Sequence, residues 1–264
     1  VPTQFSRRRL DAGCAAIVPR LLVSVRSADE ALSAIHGGAD ILDVKEPAHG
    51  SLGMADIQVI SDIAFQMTAD GERLAAPPPL SVALGELSEW IDEIEFPSLP
   101  SEVTFAKLGL SRLKSKGDWR TNWQRVREKF DEGRIQPLRW VAVAYADAQV
   151  AQAPSLDEVL AAAIDTGCAG LLIDTFGKRG STLLDLVAAD DLTRAADRCH
   201  SAGLFFALAG RLSLTDLQQL SSTNADILAI RSAACIASNR ESQIEGSRVA
   251  AFRQAMIHQF TPNL

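Results

Sequence analysis

The charged residues of greatest interest sit inside short apolar runs, where charge is least expected. Asp43 and Lys45 close the run ILDVK, Lys107 interrupts FAKLGL, and Asp174 ends GLLID with Lys178 four residues beyond. Lysine and aspartate are rarely buried without a partner, and burying ions costs on the order of several kcal/mol each unless pairing or function compensates. A desolvated amine beside other cations attacks a carbonyl, and the resulting iminium is an electron sink. Neighbouring carboxylates then move the protons of enolisation, aldol addition and dehydration. For any one acid–base pair an internal salt bridge is the competing explanation. The chemistry needs no metal: His36, His49, His200 and His258 are dispersed, with no H-x-x-x-H pair. No cofactor is expected.

A second group of residues suits an anion. Gly210-Arg211 follows the run FFALA, and Arg231-Ser232 follows ILAI. Glycine lets backbone N–H groups approach a ligand closely, and the two arginines add charge. The segment Glu46–Gly53 contributes Ser51 and His49 as groups able to face a substrate.

Eight apolar runs carry these residues: Leu21–Val25, Ile41–Lys45, Leu80–Gly85, Phe105–Leu110, Trp140–Tyr145, Gly170–Thr175, Phe205–Gly210 and Ile227–Ser232. They are continuous rather than alternating, as strands of a parallel sheet covered on both faces are. Segments of helical period lie between them. Ser27 with Glu30, and Ser155 with Glu158, read as capping boxes, and Gly37-Gly38 and Gly167 as helix stops. Eight β-α units in one chain of 264 residues point to an α/β fold, a single (β/α)8 TIM barrel. A doubly wound open sheet lacks its G-x-G-x-x-G turn after the first strand. Barrel sites lie at the C-terminal strand ends, where both groups of residues fall, and the loops after strands seven and eight commonly bind phosphate. Residues 1–20 read as a basic extension, 21–264 as the barrel, and Asp70–Pro79 as a loop.

Composition narrows the function classes. A formal net charge of −7 argues against a nucleic-acid partner, and no apolar run approaches the roughly 20 residues of a membrane span. Cys14, Cys168, Cys199 and Cys235 are scattered, without a C-x-x-C pair, and Cys168 and Cys235 read as buried thiols. Ser6–Leu10 has the look of a twin-arginine signal, but Asp11 and Arg20 interrupt the apolar stretch that should follow. A cytoplasmic enzyme for an acidic small molecule is the expectation.

The segments ILDVKEPAHGSLG, FAKLGL, GLLIDTFGKRG, FFALAGRL and ILAIRSAAC together resemble the (5-formylfuran-3-yl)methyl phosphate synthase family of methanofuran biosynthesis. The resemblance runs from about Leu21 to the last helix. It implies condensation of two glyceraldehyde 3-phosphate molecules into a phosphorylated furan aldehyde, with release of phosphate and water. It also implies Lys178 as the Schiff-base lysine and Asp174 as its acid/base partner. Lys45 and Asp43 would assist proton transfer and elimination, and Lys107 would bind or polarise substrate. Gly210, Arg211, Arg231, Ser232 and Ser51 would hold substrate and its phosphate. The expected partner is a triose phosphate, and a homo-oligomer is the expected assembly. Two other readings stay open: another Schiff-base phosphosugar aldolase, and a non-catalytic barrel that binds a phosphorylated metabolite.

Overall fold

The computed structural model describes residues 18–69, 77–177 and 180–261. Eight strands close into one parallel barrel in sequence order, β1 (Arg20–Val25) pairing with both β2 (Ile41–Val44) and β8 (Ile227–Ile230). Between them run β3 (Leu80–Glu86), β4 (Val103–Gly109), β5 (Arg139–Tyr145), β6 (Gly170–Asp174) and β7 (Phe205–Leu208). Each expected run is a strand. The second, fourth, sixth, seventh and eighth end one or two residues early, so Lys45, Leu110, Thr175, Ala209-Gly210 and Arg231-Ser232 begin the loops at the barrel's C-terminal end.

Period-two geometry sorts each strand's side chains between two apolar cores. Leu22, Ile41, Phe105, Val141, Leu172, Ala207 and Ile227 belong to the inner one, filling the barrel. Leu21, Leu42, Val82, Leu108, Ala142, Ile173 and Leu228 belong to the outer one, beneath the helices. Both faces of every strand are thereby covered, which is why the runs read as continuously apolar. Gly170 makes room for the barrel floor: a Cβ there would lie 2.3 Å from the Phe205 ring, which packs edge-on against Phe105.

The outer layer consists of α1 (Ala28–His36), α2 (Ile57–Ala69), α3 (Trp119–Asp131), α4 (Leu156–Asp165), α5 (Ala189–Ser201), the short α6 (Leu217–Leu220) and α7 (Gly246–Phe260), with single turns between. The β3–β4 connection departs from the regular alternation. It forms a 3-10 turn at Leu87–Glu89 and then an irregular path through Pro97 and Pro100, whose missing N–H groups disfavour a helix. Aromatic packing covers the sheet there instead, with Trp90 stacked on Phe96 and edge-on to Phe130.

The capping box of α4 is present on both sides, Ser155 and Glu158 each satisfying the other's backbone N–H. That of α1 is only half made. Ser27 accepts from the Glu30 N–H, but the Glu30 carboxylate takes the Arg26 N–H (2.8 Å) and an ion pair with Arg231. Cys168, Cys199 and Cys235 are buried free thiols, with burial pushing Cys199 up to about 12. Among the described residues no helix is long and apolar enough to cross a membrane. Residues 1–17 of the expected extension, with Cys14, and residues 70–76 of the expected loop lie outside the described residues.

Candidate active site

The site is assembled by strand register. Ser24 on β1, Asp43 on β2 and Ser81 on β3 are lateral neighbours in the ladder. Both hydroxyls therefore donate to the Asp43 carboxylate, at 3.2 and 2.9 Å. On β4 the ladder partner of Ser81 is Phe105, and Lys107, one inward position further along the strand, has its Nζ 2.6 Å from Asp43 Oδ1. Asp43 is 1% and Lys107 3% exposed. An ion pair this deep persists only when its remaining lone pairs are satisfied, and the two serines supply that. Their signal was present in the sequence: each is a polar residue at an inward position of an apolar strand, as Lys107 is.

Lys45 follows two residues after Asp43 on the same face, 9% exposed, its Nζ 3.5 Å from the Ser51 carbonyl. Ser51 is not placed as a phosphate ligand. It is buried, and its hydroxyl lies against Asp174 Oδ2 (3.1 Å) and the Thr175 carbonyl (2.9 Å). Asp174 Oδ1 accepts the Thr175 N–H at 2.7 Å. The β2 loop thus fixes the carboxylate at the end of β6. Gly53 allows that loop to fold so tightly: a Cβ there would lie 2.4 Å from the Glu46 carbonyl. His49 is exposed, its Nδ1 3.2 Å from the Met54 carbonyl.

Asp43, Lys45, Lys107 and Asp174 line one cavity together with Gly210, Arg211, Arg231 and Ser232. The two groups of residues recognised in sequence, acid–amine and anion-binding, therefore meet. Lys178 lies outside the described residues. The backbone just before it is held by Asp147, which accepts from the N–H groups of Phe176 (2.7 Å) and Gly177 (2.8 Å).

At the anion-binding side Gly210 has φ +103°, and a Cβ there would lie 2.9 Å from Thr175 Cγ2, so the position requires glycine. Among the described residues the backbone N–H groups of Gly210, Arg211, Ser232 and Ala233 have no protein acceptor. Arg211 is left-handed (φ +60°) and exposed, its guanidinium bonded to the Gly180 carbonyl. Arg231 corrects the expectation of a phosphate-binding side chain. It is buried against Glu30, and all five of its donors are spent on Glu30, Ser24 O, Arg240 O and Ser242 O. Arg240, which nothing in the sequence singled out, also lines the cavity. Desolvation lowers its pKa, and the nearby Asp174 opposes that effect.

A further pair stands at the inner rim of β5. The Tyr145 hydroxyl donates to Glu86 Oε1 at 2.5 Å, and the second Glu86 oxygen accepts the Ser111 N–H at 2.8 Å. Burial, then the Glu86 charge, pushes the Tyr145 phenol well above its ordinary range, so it remains a donor. Tyr145 is the ladder neighbour of Asp174.

The geometry is that of a mouth able to hold a small anion beside buried amines and carboxylates. Comparison with known proteins agrees with it. The family model described as 4-HFC-P synthase matches residues 21–253. A (5-formylfuran-3-yl)methyl phosphate synthase of Methanobrevibacter smithii is 32% identical over 89% of this chain and 97% of its own length. One of Methanopyrus kandleri is 34% identical over 82% of this chain and 90% of its own. Among solved structures, the GGGPS of Thermoplasma volcanium superposes with a TM-score of 0.60 over 92% of each chain at 11% identity, a likeness of fold alone. The match across the whole barrel, by model and by relatives alike, makes this chain an enzyme of the 4-HFC-P synthase family.

Proposed function

We propose that the protein condenses two molecules of glyceraldehyde 3-phosphate into (5-formylfuran-3-yl)methyl phosphate, with loss of one phosphate and two molecules of water, through a lysine iminium at the barrel mouth. The observation that carries this reading is the burial of Lys45, Lys107, Asp43 and Asp174 around one cavity, in a chain of this family. Lys107, held by Asp43, is the fixed ammonium that polarises a substrate carbonyl. Asp43 thereby becomes an anchor rather than a proton carrier. Asp174, oriented by Ser51 and the Thr175 N–H, takes and returns the protons on the carbon beside the iminium.

Among the described lysines Lys45 is the amine best placed to form that iminium. It is enclosed within the same cavity, and burial favours the neutral, nucleophilic form of an amine. Lys178, four residues beyond Asp174, is the alternative carrier. Backbone donors around Gly210 and Ser232 hold the phosphate.

Incubation with glyceraldehyde 3-phosphate should produce the ultraviolet absorbance of a conjugated furan aldehyde together with free phosphate. Borohydride added during turnover should trap substrate on the protein, and peptide mapping should place it on Lys45. An adduct on Lys178 keeps the iminium and exchanges the two lysines' roles. An adduct without furan product makes the protein a different Schiff-base aldolase. Product without an adduct on any lysine removes the covalent mechanism.

A further inference from the structure

The chain leaves β8 by an excursion before entering α7. Residues 231–245 make two 3-10 turns, pair once in antiparallel fashion between Cys235 and Ile244, and pass through Ala237 and Ser238, both left-handed at φ 51° and 55°. Ala234, Cys235 and Ile244 anchor its base in the apolar core, while Ile236 just beyond them is exposed. Charge anchors the rest. Arg231 Nε donates to the Arg240 carbonyl (2.9 Å) and Nη2 to the Ser242 carbonyl (2.9 Å), while Nη1 reaches the Ser24 carbonyl (3.0 Å) on β1. The same guanidinium is clamped by the buried Glu30 of α1. Arg26 adds a bond to the Glu241 carbonyl at 2.8 Å.

The consequence is the placement of one side chain. Arg240, gripped by its own carbonyl, reaches the β2 loop, where Nη2 donates to the Gly50 carbonyl at 2.8 Å. It lines the cavity of Lys45, Lys107 and Asp174, and also an adjoining one of about 570 Å³ that it shares with Arg211 and Ser232. A guanidinium presents five donors in a planar fork that matches phosphate in bidentate fashion. Among the described residues only one of the Arg240 donors has a protein acceptor. Arg231 has none left to offer, although the sequence made it, with Arg211, a candidate phosphate ligand.

We infer that Arg240 is the cation that holds the substrate's phosphate at this mouth, and that the buried Arg231–Glu30 pair is the device that positions it. This rests on the reading of a phosphorylated substrate given above. Arg231 is accordingly a positioning residue, acting through the backbone it grips.

Titration calorimetry with inorganic phosphate, alongside kinetics with glyceraldehyde 3-phosphate, tests it. In Arg240→Met, with folding checked by circular dichroism, phosphate affinity should fall by about tenfold or more, as loss of charge-assisted bonds implies. KM should rise by a similar factor and by more than kcat falls. Arg240→Lys keeps the charge but not the fork and should fall between the two. Glu30→Gln leaves every cavity-lining side chain in place, yet should shift phosphate affinity and KM in the same direction. Unchanged phosphate affinity in folded Arg240→Met, or no phosphate binding by the unsubstituted protein, overturns the inference. Phosphate binding is read without turnover, so a protein that binds phosphate through Arg240 but makes no furan product fails only the functional reading.

Discussion

Lys107 illustrates how much one buried charge specifies. Its ammonium is held by Asp43, and Asp43 by two serine hydroxyls, so four side chains from four adjacent strands form one polar unit inside an apolar barrel. Removing one member leaves the other charges uncompensated, which costs about 3–5 kcal/mol for a buried pair. Lys107→Met should therefore lower the thermal midpoint and abolish turnover. Adding Asp43→Asn should restore much of the stability, because the orphaned carboxylate is gone, while activity stays lost. Calorimetric melts and rate measurements on the two single variants and the double variant separate these contributions. Additive losses, the double variant losing the sum of the two single ones, would mean that the two side chains do not interact. The lysine itself was legible in the sequence as a charge inside an apolar run. Its partner was not, because Asp43 and Lys107 are 64 positions apart and only the β2–β3–β4 ladder brings them together.

Elements were legible where the signal is local. Each strand is a short apolar run, and α4 begins at Ser155 with its reciprocal capping box. The Glu158 carboxylate accepts from the Ser155 hydroxyl and N–H, and these bonds hold its pKa below the ordinary glutamate value. A depressed folded-state pKa contributes stability above the unfolded value and loses it as the pH falls through the folded value. Ser155→Ala should thus cost about 1 kcal/mol near neutral pH, and its difference from the unsubstituted protein should narrow below about pH 4. Denaturant titrations at pH 7 and at pH 3 to 4 measure both. A constant difference across that range would remove Glu158 from the account. The same S-x-x-E spacing at Ser27 and Glu30 gave only half a box. There the carboxylate is claimed by Arg231, 201 residues away, which no local pattern announces.

At the scale of the molecule, an acidic protein with a net charge of −7 gathers Lys45, Lys107, Arg211 and Arg240 at one mouth. Such an arrangement focuses positive potential at that mouth, as the proposed triose phosphate substrate requires. At the mouth Asp43 is paired with an amine and Asp174 with a hydroxyl and a backbone N–H, and among the described residues no cluster of histidine, cysteine and carboxylate could hold a metal ion. The iminium route proposed above runs on amines and carboxylates, so turnover should survive exhaustive chelation. Loss of activity with EDTA and its recovery with zinc or magnesium, followed by the furan absorbance, would replace the iminium with Lewis-acid chemistry. By itself the sequence determined the eight-fold alternation and the charges set inside its apolar runs, since period-two and helical patterns are properties of neighbouring residues. Tertiary structure alone decided which charges pair. Closing the barrel made Ser24, Asp43 and Ser81 lateral neighbours, turned Ser51 onto Asp174, and spent Arg231 on Glu30 and the backbone of the excursion after β8. Arg240 took its place at the cavity by the same means. Strand pairing and long-range ion pairs depend on distances that chain order does not encode, and so these roles emerged only when the barrel closed.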